Sequence, residues 1–220
     1  MKVLIACEES QEVCKAFRAK GHEAYSCDIQ ECSGGHPEWH IWDDVIPLLN
    51  GNCVFQTQVG GFHVVNGKWD LIIAHPPCTY LSNAGACRLY PHKGQLDINR
   101  YEKGLDGKRF FMKILNVDCE RIAIENPVPS KIFELPEKTQ VIQPYEHGHP
   151  FTKKTYLWLK GLPPLKPTEI VEPLGPYVCG NSEIWKKQAA KGVVYGKEKS
   201  AKHRSKTFPG IAKAMADQWG

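Results

Sequence analysis

The chain has 220 residues, of which 42% are hydrophobic and 24% charged, and its formal net charge is +4 at pH 7. This length suits one α/β domain with at most a small appendage, and it is enough to bury a sizeable core. No apolar run approaches the ~20 residues that span a bilayer, and the opening "MKVLIACEES" does not have the pattern of a signal peptide. We therefore expect a cytoplasmic protein without a membrane partner.

Short apolar runs alternate with helical patterns along most of the chain. Ser10 is the predicted N-cap of the first helix, and Gly21 is its predicted end. The alternation predicts an α/β fold of the Rossmann-like kind, with a mostly parallel, doubly wound sheet. The predicted strands cover residues 3–6, 23–28, 70–74, 121–126, 139–143 and 154–161, and the later helices cover residues 108–117 and 209–220.

Polar side chains follow four of these predicted strands. In an open parallel sheet, ligands bind beyond the carboxyl ends of the strands, near the point where the strand order reverses. We therefore expect the polar strand ends to meet in one site. They are Glu8 with Glu9, Asp28, the loop from His75 to Cys78, and Glu125 with Asn126.

The first strand leads into "ACEESQ" rather than into a glycine-rich turn. Its two carboxylates would repel a pyrophosphate but would tolerate a cationic ligand. Asp28, at the end of the second strand, stands where an acid binds ribose hydroxyls. A ligand with a ribose, a positive centre and no phosphate is S-adenosylmethionine. The alternative is that Glu8 and Glu9 only favour the start of the following helix through its dipole.

Two stretches give the chain a resemblance to a known family. The segment "DLIIAHPPCTYLSNAG" resembles the Pro-Cys catalytic loop of the DNA cytosine-5 methyltransferases, and "IAIENPVPS" resembles their Glu-Asn motif. The two occur in the family's order. Weaker matches at "VLIACEESQEVCKAFRAKGHEAYSCD", "WDDVIP", "GHPFTKKTYLWLKG" and "FPGIAKAMADQW" extend the resemblance over nearly the whole chain. The likeness is greatest to compact phage or prophage members, which work inside a bacterial host.

The resemblance implies a covalent reaction at C5 of cytosine in DNA. The thiolate of Cys78, partly ionised in a loop held by Pro77, would add to C6 and make C5 nucleophilic. Glu125, with a pKa raised in a dry pocket, would serve N3, and Asn126 would brace the loop. The base must first be flipped out of the duplex. The residues implied for binding S-adenosyl-L-methionine are Ala6, Cys7, Glu8, Glu9, Ser10, Asp28, Ile29, Asp44, Val45 and Pro76.

The substrate-binding part of the chain departs from the family's pattern. Lys153, Lys154 and Thr155 stand where the family has an arginine pair, and no large target-recognition domain is present. We divide the chain into a catalytic domain (1–162), a short basic target-recognition-like segment (163–206) and a returning C-terminal helix (207–220). Phosphate contacts carry no sequence information, so we expect low specificity or a protein partner that supplies it. The further residues predicted to bind DNA are Lys186, Lys187, Lys202 and Arg204.

Three alternatives stay open at this level. The "HPPC" stretch also resembles the loop of amino-methyltransferases that act on adenine N6 or cytosine N4, although Cys78 cannot stack a base there. A non-catalytic DNA- or nucleotide-binding protein on a degenerate methyltransferase fold would explain the missing glycines. A free nucleotide is a conceivable substrate. Four residues could form a zinc site, although we take them as ordinary thiols and loop histidines and assign no metal: Cys27, Cys32, His36 and His40.

Overall fold

The computed structural model describes residues 1–86, 88–177 and 205–220 of the chain. Within these ranges the protein is α/β with a mostly parallel central sheet, as predicted. The described strands, numbered along the chain, are β1 (Lys2–Ala6), β2 (Glu23–Asp28), β3 (His40–Trp42), β4 (Cys53–Gln56), β5 (Phe62–Val65), β6 (Leu71–Ala74), β7 (Ile122–Pro127), β8 (Gln140–Ile142), β9 (Phe151–Thr152), β10 (Thr155–Lys160) and β11 (Gly175–Pro176).

The central sheet has seven strands in the order β3-β2-β1-β6-β7-β10-β8. The first five run parallel, and the chain builds outward from β1 to β3 before it returns to add β6 on the other side of β1. The strand order therefore reverses between β1 and β6, which makes this the switch point of the sheet. At the far edge, β10 runs antiparallel to both β7 and β8. A hairpin of β4 and β5 and a short parallel pair of β9 and β11 lie outside this sheet.

Helices cover both faces of the sheet because alternate strand residues enter two separate cores. Val3 and Ile5 pack on the side of α1 and α4, which also contact each other, whereas Leu4 and Ala6 face the side of α3. The arrangement agrees with the doubly wound prediction. The described helices are α1 (Glu12–Ala19), α2 (Asn83–Ala86), α3 (Ile98–Leu115) and α4 (Pro209–Trp219).

The first turn of helix α1 is capped differently from the prediction. Its N-cap is Gln11 rather than Ser10, because the carboxylate of Glu8 accepts the hydrogen bonds from the amides of Val13 and Cys14.

Several other elements differ from the sequence-based expectations, among them strand β3, which was not predicted. Helix α3 begins at Ile98 rather than near residue 108, because Asp97 caps it there by accepting a hydrogen bond from the Arg100 amide (3.0 Å). The predicted last strand is present, but it runs antiparallel. The hairpin of β4 and β5 was not predicted. In the described ranges, no helix combines the length and the apolar character needed to cross a membrane.

Candidate active site

The polar strand ends lie at one edge of the sheet. Ala6 pairs with Cys27 on one side and with Ala74 on the other, and Ala74 pairs in turn with Ile124. These pairings align the last residues of β1, β2 and β6 with the carboxyl-terminal half of β7. The chain segments that follow these strands therefore emerge side by side at the switch point, where open α/β sheets bind ligands.

The Pro-Cys loop is held in place from the neighbouring strand. The side-chain amide of Asn126, which is 1% exposed, donates a hydrogen bond to the carbonyl of Pro76 (3.0 Å). The carbonyl of Cys78 accepts a hydrogen bond from the backbone amide of Ser82 (2.9 Å), which closes the turn. Pro76 is buried and Pro77 is exposed. The geometry matches the bracing role that was expected of Asn126.

A histidine and a glutamate from adjacent strand ends form a buried ion pair. The Nδ1 of His75 lies 2.8 Å from Oε2 of Glu125, and the two side chains are only 11% and 12% exposed. Burial raises the pKa of Glu125, but the hydrogen bond from His75 and the charges of Lys153 and His75 outweigh it, so the net shift is downward. The expectation of a raised pKa for Glu125 is therefore wrong, because His75 was not predicted as its partner.

The surroundings of Cys78 favour the protonated form of its thiol. Burial raises its pKa first, and the negative charge of Glu125 raises it further, while a backbone hydrogen bond and the charge of Lys153 act in the opposite direction. The thiol is half-buried. The expectation of a partly ionised thiol is therefore wrong before substrate binds. The mutual electrostatic effect nevertheless places Cys78, Glu125 and Lys153 in one neighbourhood.

The two acids after β1 hold backbone and loop in place. Glu8 is buried, and its carboxylate accepts hydrogen bonds from the amides of Val13 (2.7 Å) and Cys14 (3.2 Å) in the first turn of α1. Glu9 accepts a hydrogen bond from the Ser33 hydroxyl, and its carbonyl accepts one from the Ser33 amide (2.7 Å). Glu8 thus has the helix-start contacts of the alternative interpretation, whereas the contacts of Glu9 are with the loop of Ser33.

Two carboxylates act on the thiol that follows β1. Burial raises the pKa of Cys7 to about 12, and the negative charges of Asp28 and Asp44 raise it as well. The side chain of Ile29, next to Asp28, is 77% exposed. An exposed apolar side chain offers a surface for an aromatic ring, and a neighbouring carboxylate offers acceptors for hydroxyl groups.

Several residues predicted to bind the cofactor do not present their side chains at this edge. They pack in the interior, so any contact with a ligand would have to come from their backbone. These residues are Ala6, Ser10, Val45 and Pro76.

The lysines before β10 flank the Glu125 side of the site. A small cavity is lined by Glu125, Lys153 and Phe208, and the Lys153 ammonium lies 5.8 Å from the centre of the Phe208 ring. Lys154 is exposed, and its ammonium lies 5.7 Å from the Tyr156 ring. Thr155 is buried, and its hydroxyl donates to the carbonyl of Lys153 (3.0 Å). The predicted DNA-binding residues Lys186, Lys187, Lys202 and Arg204 lie outside the described residues.

A second cationic group, which the sequence interpretation missed, borders the Pro-Cys loop. The guanidinium of Arg100 lies 4.9 Å from the centre of the Tyr80 ring, and the ammonium of Lys103 lies 5.5 Å from it. Arg100 also donates hydrogen bonds to the carbonyls of Thr79 (3.2 Å) and Gly85 (3.1 Å). The spacing of Arg100 and Lys103 on one helix face could have indicated a paired contact, but nothing in the sequence identified Tyr80 as their partner.

The possible zinc ligands have other partners. The Cys27 thiol donates to the carbonyl of Asp43 (3.3 Å), and the ring of His40 contacts the Ser26 hydroxyl (2.9 Å) and the Gln30 carbonyl (2.9 Å). No group of three or more histidine, cysteine or acidic side chains in the described ranges could hold a metal ion. Cys32 and His36 belong to the same described part of the chain.

Comparison with known proteins gives no assignment. No protein-family model matches the chain, and no curated protein matches it significantly. The functional interpretation therefore depends on the chemistry of the site itself.

Proposed function

We propose that this protein is an S-adenosylmethionine-dependent methyltransferase that acts on C5 of cytosine in DNA, with Cys78 as the nucleophile and Glu125 at N3 of the base. The observation that carries the proposal is the pairing of a thiol and a carboxyl group at adjacent strand ends. Asn126 ties the loop of the thiol to the strand of the carboxyl through the Pro76 carbonyl. The sheet, with one antiparallel strand inserted before its edge, fits the methyltransferase fold that the sequence resembles.

The residues at the switch point fit the proposed cofactor in their chemistry. Asp28 supplies carboxylate acceptors for ribose hydroxyls, and Asp44 supplies an acceptor for the adenine amino group. Ile29 offers an exposed apolar surface for the adenine ring. The net negative charge around Cys7 suits a sulfonium and disfavours a phosphate. When bound, S-adenosylmethionine would supply an electrophilic methyl group.

The reaction requires Cys78 and Glu125 to act on opposite parts of one ring. Cytosine C5 is too weak a nucleophile until a thiolate adds to C6, and electron density then moves toward N3, where a carboxyl group must supply a proton or hydrogen bond. The pKa of Cys78 is raised by burial and by the charge of Glu125. The thiol must therefore lose its proton as it attacks C6. The protonated thiol is also less readily oxidised between turnovers than a thiolate would be.

Cations around this edge suit a nucleic-acid backbone. Lys153 and Lys154 precede β10, and Arg100 and Lys103 lie over the ring of Tyr80 in the Pro-Cys loop. Groups of this kind neutralise phosphates without reading sequence. We therefore propose DNA as the substrate, with sequence specificity supplied by a partner or not required.

Covalent trapping tests the proposal. The protein, its Cys78→Ser variant and a Cys53→Ser control would be incubated with S-adenosylmethionine and DNA that contains 5-fluorocytosine. Because fluorine at C5 blocks the final elimination, the wild-type protein should remain attached to the DNA on a denaturing gel. Cys53 is the matched control, since it is also half-buried with a pKa raised by burial. Mass spectrometry should place the adduct on Cys78.

The outcomes separate the candidate functions. An adduct that is lost in Cys78→Ser but kept in Cys53→Ser would support the proposed nucleophile, atom and substrate together. No adduct, with S-adenosylmethionine binding intact by calorimetry, would favour an amino-methyltransferase or a substrate other than DNA. No binding of S-adenosylmethionine would overturn the enzyme proposal and favour a non-catalytic binding protein.

A further inference from the structure

His75 is a buried titratable group at the centre of the site, and the roles assigned above do not use it. It follows β6 directly, on the strand end next to Glu125, and its Nδ1 lies 2.8 Å from Oε2 of that carboxyl. Both side chains are almost fully shielded from solvent. A hydrogen bond between two such buried groups fixes the orientation of the carboxyl plane and couples the protonation of the two residues.

Three charged groups from three neighbouring elements face the imidazole. They are Glu125 from β7, Glu8 from the segment after β1, and Lys153 from the segment before β10. Burial lowers the pKa of His75, and Lys153 lowers it too, but the two carboxylates raise it by more, so its net shift is upward. The pKa of Glu125 shifts downward, and the two shifts together favour the charged pair of imidazolium and carboxylate.

An ionised Glu125 has the wrong hydrogen-bonding character for cytosine. The N3 atom of cytosine is an acceptor, and a carboxylate only accepts hydrogen bonds, so the two would repel each other. The carboxyl group needs a proton before it can stabilise charge at N3. Nδ1 of His75, at 2.8 Å from Oε2 of Glu125, is within hydrogen-bond distance and can supply this proton.

The surroundings of Nε2, the other ring nitrogen of His75, favour transfer of the proton from Nδ1 to Glu125. The Nε2 atom is buried and makes no hydrogen bond within the described part of the chain. No second protein acceptor therefore stabilises the imidazolium, and its charge depends on Glu125 as its hydrogen-bonded partner. Base binding dries the site further, which disfavours the separated charges and favours the neutral pair of imidazole and carboxylic acid.

We propose that His75 is a positioning residue that orients the Glu125 carboxyl group and supplies the proton that this group passes to N3 of the base. The inference rests on the proposed cytosine-5 reaction. As the sulfur of Cys78 bonds to C6, its thiol proton goes to water, and the C5=C6 electron pair shifts into the C4–C5 bond. The C4=N3 pair then takes the proton from the acid, and His75 is left neutral. The proton would return to the pair once the electrons at C5 are used to form a bond there, because the N3 electron pair then re-forms the C4=N3 bond.

The test compares His75→Asn with wild type in the rate of 5-fluorocytosine adduct formation between pH 5.5 and 9. The asparagine amide can donate to Glu125 but cannot supply a proton, so we expect adduct formation to slow by about 100-fold. Wild-type adduct formation should decline as pH rises through the pKa of the pair, and this decline should be absent in the variant. His147→Asn is the matched control, because His147 is also buried with an unpartnered Nε2 in the described chain.

Titration of the His75 imidazole by nuclear magnetic resonance gives a readout that does not depend on activity. Its pKa should fall in Glu125→Gln, because the carboxylate that stabilises the cation is removed. If wild type forms no adduct, the proposed function and this inference fail together. If wild type forms the adduct and His75→Asn keeps the same pH dependence, whether slowed or not, only the role of His75 is overturned.

Discussion

Two opposite charges act on the thiol of Cys78, and its reactivity reports their balance. Glu125 raises its pKa and Lys153 lowers it, after burial has already raised it. A thiolate reacts with alkylating agents and a thiol does not, so a change in either charge changes the rate at a fixed pH. The combined effect of these two charges on the thiol can thus be measured from its alkylation rate, without substrate or cofactor.

Replacing each charge should move the alkylation rate in a predictable direction. Lys153→Gln should slow alkylation of Cys78 by iodoacetamide at pH 8, and Glu125→Gln should accelerate it, each by roughly three- to tenfold, since one pKa unit is a factor of ten in thiolate. The rate would be followed by mass spectrometry of the Cys78 peptide. Lys154→Gln is the control, because Lys154 is exposed and stacks on Tyr156 instead. Equal effects of the two lysine variants would contradict this description of the site.

The sequence predicted the residue types of the site better than their ionisation. Cys78, Glu125 and Asn126 were predicted because the Pro-Cys and Glu-Asn stretches stand at strand ends, and the structure brings them together. The sign of the Glu125 pKa shift depends on His75, which is 50 positions away in the chain. Such a contact is set by the pairing of β6 with β7 and leaves no local pattern. The same holds for the capping of α1 by Glu8.

At the scale of elements, two glycines bear on the length and the packing of helix α3. Gly104 and Gly107 have low helix propensity, and the predicted helix began only after them. In the structure both lie inside α3. Gly104 is there because the helix approaches the buried ring of Phe133, and a Cβ at this position would lie 2.1 Å from the ring. Close packing thus overrides helix propensity at this position.

The two glycines should respond differently to alanine. Gly104→Ala should lower the free energy of unfolding by about 1–3 kcal/mol, because Phe133 is enclosed in the core and cannot yield to the added methyl. At Gly107 the nearest atom to a new Cβ is Cγ of Leu81 at 3.2 Å, a tight but tolerable contact. Its better helix propensity should leave Gly107→Ala within about 1 kcal/mol of wild type. Urea unfolding would measure both, and a loss at Gly107 equal to that at Gly104 would refute the packing argument.

The hairpin of β4 and β5 shows a local pattern that was present but not used. The two strands are joined through Gly60 and Gly61, both with positive φ (90° and 88°). A glycine pair between alternating apolar residues is a hairpin pattern. The direction of β10, by contrast, has no local pattern in the sequence. Its residues indicate a strand, but only the pairing with β7 and β8 shows that this strand is antiparallel.

At the scale of the whole molecule, the topology of the sheet made the site predictable. Once strands are parallel, the residues that follow them must share an edge, so widely separated segments converge without any long-range pattern in the sequence. The return of the chain through α4 was harder to use. Phe208, at the start of that helix, helps to enclose the cavity beside Glu125 and Lys153, and only the packing of α4 on α1 places it there.

The buried histidines make the stability of the whole fold depend on pH. Burial lowers the pKa values of His40, His147 and His149, so the unfolded chain binds protons more readily than the folded one below its histidine pKa of ~6.5. Stability from these groups is lost as pH falls through that range. His75 acts oppositely, because a raised folded pKa adds stability below the unfolded pKa that is lost as pH rises through the folded value. Glu125, with its lowered pKa, changes stability only in more acidic solution.

The pH dependence of stability can be tested one imidazole at a time, because groups with lowered and with raised pKa values oppose each other in the wild-type protein. The free energy of unfolding in urea would be measured at pH 5.5 and at pH 7.5. His147→Gln removes an imidazole whose pKa is lowered by burial, so it should raise the stability at pH 5.5 relative to pH 7.5, by up to about 1 kcal/mol. His75→Asn removes an imidazole whose pKa is raised, so it should lower the stability at pH 5.5 relative to pH 7.5. Shifts of the same sign in the two variants, or no shift in either, would show that these imidazoles do not titrate as their surroundings require.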